Sequence, residues 1–487
     1  MGRVTEPNQV LPVPPADLPA TLGALRAAGH HYRTVKQELR DNLLARLRAG
    51  GDRFPGIVGY DDTVLPEVER ALLAGHDMVL LGERGQGKTR LIRSLVALLD
   101  EWTPVIAGSV LNEHPMHPLT PASRALAAEA GDDLPVAWLH RSMRYGEKLA
   151  TPDTSVGDLI GDVDPIRIAQ GRTLGDPETI HFGLVPRTNR GIFAVNELPD
   201  LAERIQVALL NVLEERDIQV RGYQLRLPLD LLLVASANPE DYTNRGRIIT
   251  PLKDRFGAEI HTHYPLGLEL ELALIRQEAD LVADVPEHVL EVLARFARAV
   301  RDSPSVDQRS GVSARFAIAA AETVAAAALR RSGLLAAGAT TDGVREEAPV
   351  ARVGDAVSVT STLRGKVEFE SGEDGREVEI LAHLLRTATA ETFRARLAGL
   401  DLSGFTALVD DGRVVETGEL VASADLLRQV GTVPGLAKAL DRLGLGDAPT
   451  PEQAAAGVEF VLEGLHLTRR LGKDVTDSGR TVYGGRG

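Results

Sequence analysis

A glycine-rich segment, Gly82-Glu83-Arg84-Gly85-Gln86-Gly87-Lys88-Thr89, lies between the apolar run Met78 to Leu81 and a helical pattern that continues through Leu99. Its glycines allow backbone N–H groups to converge on an anion without side-chain clash. A helix starting where the loop ends adds its N-terminal partial positive charge. Strand, glycine loop and a helix that opens on Lys-Thr form the context of a phosphate-binding loop. Further apolar runs, Ile192 to Val195 and Leu231 to Ala235, alternate with helical patterns between Phe54 and about Pro265. That alternation calls for a parallel sheet flanked by helices.

Within this frame Lys88 is placed to reach the outer phosphates of a nucleotide and the Thr89 hydroxyl to ligate Mg2+. Residues Gly82 to Thr89 and the adjoining Arg90 are the expected nucleotide-binding segment. The run Gly191-Ile192-Phe193-Ala194-Val195 ends in Asn196-Glu197. Glu197 is the candidate to orient and deprotonate water, and Asn196 to meet the metal. An amide accepts a hydrogen bond from a metal-bound water but brings no charge, so metal affinity should fall. Two readings stay open: a working but slower ATPase, in which Asn196→Asp raises turnover, or a nucleotide-gated assembly switch with little hydrolysis. The run Leu231 to Ala237 ends in Asn238, either a group that holds the attacking water or an asparagine that starts the turn before Pro239.

These three runs, in this order and with these endings, resemble the AAA+ ATPases of the clade that holds the magnesium chelatase ATPase subunit and MoxR-type proteins. The resemblance covers roughly Phe54 to Leu329. It implies an α/β fold class: an AAA+ P-loop core with a parallel sheet between helices, then an all-helical lid and a mostly helical C-terminal domain. Thr154 to Asp164, Phe182 to Pro186 and Asn189 to Gly191 are similar to the chelatase subunit's insertion. Asp217 to Pro228, with an Arg221-Gly222 turn, is similar to the clade's hairpin before the first sensor, although an ordinary edge hairpin fits equally. Lys253-Asp254-Arg255-Phe256-Gly257 resembles the segment that offers an arginine to the neighbouring subunit's ATP. Arg255 is favoured by position, Arg245 and Arg247 compete, and a structural ion pair is the alternative. Arg315, in Gly311 to Phe316, stands where relatives place a second sensor arginine. Val58 and Gly59 lie in a segment similar to the one that packs on adenine, with Tyr60 where glutamine is common.

An arginine acting across subunits implies a ring, with a hexamer as the expected form, and the family implies a partner protein, one candidate class carrying a von Willebrand A domain. The resulting expectation is a Mg-ATP-hydrolysing ring that remodels or activates a partner. A magnesium chelatase subunit in tetrapyrrole synthesis and an ATP-dependent transcription regulator are narrower alternatives.

With 487 residues the chain exceeds one core, and several domains are expected. The divisions read from composition are an N-terminal extension with a helical arm (1–50), the nucleotide-binding core (51–265), a helical lid (266–335), a linker (336–355), a C-terminal domain (356–475) and a frayed tail (476–487). A net charge of −15 argues against a broad grip on nucleic acid or anionic membrane. The chain has no cysteine, no secretory pattern in its first residues and no apolar stretch of membrane-spanning length, so a cytoplasmic location is expected. The pairs His114/His117 and His261/His263 lack further ligands and are not read as metal sites. The two helices around Gly431 and Pro434 read as a packed hairpin. Gly365 to Ile380, dense in Glu, reads as a strand or hairpin with a solvated face.

Overall fold

The computed structural model describes residues 12–163, 180–214, 218–220, 223–225, 227–238, 247–307, 311–338, 347–410, 414–476 and 480–484. The chain divides into two units: residues 1–83 with 87–263, and residues 84–86 with 264–487.

The first unit begins with α1 (Leu22–Ala27), α2 (Val35–Ala49) and α3 (Val64–Ala74). The single arm expected from Thr21 to Arg48 is thus two helices. Gly29, at φ +73°, interrupts it, and Thr34 starts α2 with a capping box shared with Gln37. Nor does it project as an arm: Leu39 and Leu43 are buried in the unit's core. Glu38 forms a fully buried bidentate pair with Arg144, both bonds 2.7 Å.

The strands follow in chain order: β1 (Met78–Leu81), β2 (Trp102–Ile106), β3 (Val136–His140), β4 (Tyr145–Leu149), β5 (Gly161–Val163), β6 (Ile180–Phe182), β7 (Gly191–Asn196), β8 (Ile218–Val220), β9 (Tyr223–Leu225), β10 (Leu231–Ala237) and β11 (Ala258–His261). Five of them make a parallel sheet in the order β11-β1-β10-β7-β4. Alternate residues of the inner strands serve different cores. Val79, Leu81, Phe193, Val195, Leu233 and Ala235 pack on one face, Met78, Leu80, Ile192, Ala194, Leu232 and Val234 on the other with α2 and α3. Burial on both faces is why these strands read as unbroken apolar runs. β5 pairs with β6 and β8 with β9, both antiparallel. The Arg221-Gly222 turn and Asp164 fall outside the described residues, as does Arg245.

The second unit is built on the helices Leu268–Glu278, Glu287–Arg301, Ala314–Gly338, Glu377–Leu397 and Pro451–Leu467. One hydrophobic cluster runs through it from Leu272 to Tyr483. The described part of the expected linker is packed: Val350, Ala351, Arg352 and Val353 are buried, and Arg331 reaches from its helix to Val350 O and Asp355. The strand or hairpin expected over Gly365 to Ile380 is absent; a 3-10 turn, Arg364–Lys366, leads into turns and then the helix that begins at Glu377. Gly372 and Gly375 (φ +83°) break the run, and the acids of its last part open a helix, where negative charge is favoured. The tail differs too. β12 (Val415–Thr417), β13 (Gly472–Val475) and β14 (Thr481–Gly484) form an antiparallel sheet ordered β12-β14-β13, and Tyr483, read as frayed, is buried in the cluster. Among the described residues no helix is long and apolar enough to cross a membrane.

Candidate functional site

β1 ends at Leu81, and Gly82 N–H donates to Ala237 O at 3.2 Å, fastening the loop to the end of β10. Gly87, at φ +79°, caps α4 (Lys88–Ser94), which continues as a 3-10 turn to Leu98. A side chain at that conformation would be strained, which is the physical reason for glycine there.

Lys88, only 6% exposed, is turned inward. Its ammonium donates to Gly82 O, to Glu83 O at 2.9 Å and to Asn238 Oδ1 at 2.8 Å. Asn238 in turn donates from Nδ2 to Glu197 Oε2 at 2.9 Å. One amide therefore joins the cation of the loop to the carboxylate after β7. Glu197 itself sits at φ +55°, a left-handed conformation uncommon for a side-chain-bearing residue.

Asn196 ends β7 and is buried. Its Nδ2 donates to Glu147 Oε1 at 2.6 Å, and its Oδ1 accepts from Ser236 Oγ at 3.2 Å. Glu147 also accepts from Arg93 Nε (2.8 Å) and Nη2 (3.0 Å) and from the Tyr145 hydroxyl (3.0 Å). The Arg93 guanidinium is held above its usual value chiefly by its bond to Glu147, and burial pushes the Tyr145 hydroxyl up. Glu147, Arg93 and Ser236 were not singled out in the sequence. No local motif marks Glu147; it becomes visible only through the register Leu149↔Asn196 between β4 and β7.

Arg90 lies on the Phe54 to Gly59 segment: a Cβ on Gly56 would come within 2.9 Å of Arg90 Nη2. Val58 and Gly59 are thus in the same unit as Lys88, with Gly59 at φ +83°. Tyr60 is buried, donates to His263 O at 3.0 Å, and its hydroxyl is pushed up to about 12, mainly by burial. Arg84, Gly85 and Gln86 belong to the second unit. There the Tyr264 hydroxyl donates to Arg84 O at 2.8 Å, and a Cβ on Gly85 would lie 1.7 Å from Ser313 Oγ. Arg315, in the same unit, is exposed.

Arg255 closes the helix Thr250–Arg255 and is exposed, 3.7 Å from Glu214. An ion pair that open and that long contributes little to stability. Arg247 is also exposed. The four histidines found in two pairs have other neighbours, and His261 lies 3.4 Å from the Glu259 carboxylate. His114 meets His30 at 3.2 Å and stacks in a group with Tyr32 and His117, while His263 contacts Thr63 at 2.8 Å. Burial holds His114 down to about 3.

No protein-family model matches the chain. It is similar to the magnesium-chelatase subunit ChlI of Nostoc sp., 30% identical over 235 residues, which cover 47% of this chain and 59% of that protein. It is also 29% identical over 240 residues to the magnesium-chelatase 38 kDa subunit of Cereibacter sphaeroides, covering 47% and 64%. The chain spans about three-fifths of the length of these relatives. Among solved structures, a chain in the complex between subunits BchI and BchD of magnesium chelatase aligns with 67% of this chain and 98% of its own length, at 24% identity and a TM-score of 0.35.

Proposed function

We propose that this chain is a Mg-ATP-dependent AAA+ ATPase that works as a ring and whose cycle remodels or activates a partner protein. The observation that carries the reading is the chain of contacts Lys88–Asn238–Glu197 beside the glycine loop. It gathers a phosphate-binding cation, a polar amide and a carboxylate at the ends of three adjacent strands. The likeness to magnesium-chelatase subunits over nearly half the chain supports it independently.

In this reading the loop amides and Lys88 take the phosphates, and Lys88 exchanges its present oxygen acceptors for phosphate oxygens. Thr89 and Asn196 offer neutral oxygen donors, which suit a hard cation that takes most of its coordination from water and phosphate. When bound, magnesium neutralises charge on the phosphate oxygens. Glu197 orients the attacking water and accepts its proton, and Asn238 holds both in place. Arg255 serves the adjoining subunit's nucleotide, Arg315 acts as the lid's sensor, and Val58 and Gly59 receive the base. The ring is a hexamer in the cytoplasm and its partner carries a von Willebrand A domain, proposals that rest on the resemblance. A second reading, a nucleotide-gated switch with little hydrolysis, is favoured by the uncharged Asn196. A role in tetrapyrrole synthesis rests on the names of the relatives.

Binding of a fluorescent ATP analogue tests the site before any question of turnover. The wild type should bind, and Lys88→Ala should weaken binding at least tenfold, the loss of a charge-assisted contact of about 1.5–3 kcal/mol. Equal binding by both proteins would remove the glycine loop from the account.

A further inference from the structure

Asn196 and Glu147 are built for one another. In the sheet order β1-β10-β7-β4, Asn196 is flanked by Ser236 on β10 and Glu147 on β4. Its amide satisfies both, donating to the carboxylate and accepting from the hydroxyl. The donor side therefore faces the edge strand. The oxygen lies on the side of β10 and β1, the strand that feeds the phosphate loop. Glu147 meanwhile takes four donors: Asn196, two from Arg93 and one from Tyr145. Arg93 stands one helical turn beyond Thr89 on α4, so the same carboxylate bonds both to Asn196 and to the helix that carries Thr89.

We propose that Glu147 is the positioning residue for the metal-facing oxygens of this site, the acid having its place on β4 rather than at the end of β7. The proposal rests on the nucleotide reading of the preceding section. It makes Asn196 a fitted residue and not a lesion. An aspartate at 196 would set an anionic oxygen about 2.6 Å from Glu147 Oε1, exchanging a hydrogen bond for like-charge repulsion. The single change that sequence alone expects to raise turnover should fail. The paired change, Glu147→Gln with Asn196→Asp, keeps the hydrogen bond with its polarity reversed.

The test is binding of a fluorescent ATP analogue by the full chain across magnesium concentration, for wild type, Glu147→Gln, Asn196→Asp and the double variant, with melting temperatures recorded without nucleotide. Loss of a residue that orients a metal-facing group costs about 10- to 100-fold in metal affinity. Glu147→Gln should therefore raise the magnesium concentration for half-maximal binding at least tenfold. Asn196→Asp alone should raise it as well and should reduce the melting temperature, and the double variant should return to within a few-fold of wild type. A merely structural Glu147 would move the melting temperature alone and leave the magnesium midpoint in place, which would overturn the proposal. So would an Asn196→Asp single variant that binds magnesium as tightly as the double. A folded wild type that binds no nucleotide at any magnesium concentration is a different outcome; it removes the ATPase reading and this proposal with it.

Discussion

At the scale of residues, burial of ionisable groups sets how the protein answers to pH. His288 is fully buried against the Phe460 ring, centroids 4.9 Å apart, and burial holds it down to about 3. Its ordinary value is near 6.5, so between those two pH values the unfolded chain takes up a proton that the folded chain refuses. Stability is complete above about pH 6.5 and should fall below it by about 1.4 kcal/mol per pH unit per such histidine. His114 adds to the same slope. Urea midpoints at pH 7 and pH 5 measure it, and the gap should narrow in His288→Leu. An unchanged gap would show that protonation of His288 does not drive acid unfolding. The site residues obey a different economy. Lys88, Asn238 and Glu197 were legible one by one from the sequence because each ends an apolar strand or its loop. Glu147 was not, since its meaning comes from a neighbour on another strand.

At the scale of elements, the legible strands are those buried on both faces. β1, β7 and β10 stand out as apolar runs because alternate residues feed two cores. β4 reads Tyr-Gly-Glu-Lys-Leu, an edge strand half exposed to solvent, and gives no such signal. The acidic stretch after Gly365 misled in the opposite direction, because glycine breaks and helix-opening acids mimic a charged hairpin. The strap of residues 347–355 was equally opaque. Its composition is that of a linker, yet Arg352 is buried and bonded to Val421 O, Ser423 and Glu347, with Glu459 3.8 Å away. Burial raises Glu459 above the usual carboxylate range and lowers Arg352. Removing one member of such a cluster leaves the others uncompensated, so Arg352→Met should destabilise the second unit by about 3–5 kcal/mol. Chemical denaturation checks this, and a loss under about 1 kcal/mol would mean that the strap is held by its apolar contacts.

At the scale of the whole molecule, the residues proposed above for the site are distributed over two units. The first holds the loop lysine, Thr89, Asn196, Glu197 and Asn238; the second holds Arg315 and the middle of the glycine loop, Arg84 to Gln86. The division at Tyr264 falls where strands give way to helices. The continuity of the second unit was not legible, because one core cluster joins residues as far apart in sequence as Leu272 and Tyr483.

The central claim is hydrolysis by an assembled ring. Steady-state ATP turnover with magnesium, measured across protein concentration for the wild type and Glu197→Gln, tests it most directly. The account predicts that turnover per chain rises with concentration, as subunits meet and Arg255 reaches its neighbour's nucleotide, and that Glu197→Gln abolishes it while binding persists. Turnover at background in the wild type despite nucleotide binding, or turnover indifferent to Glu197, would contradict it.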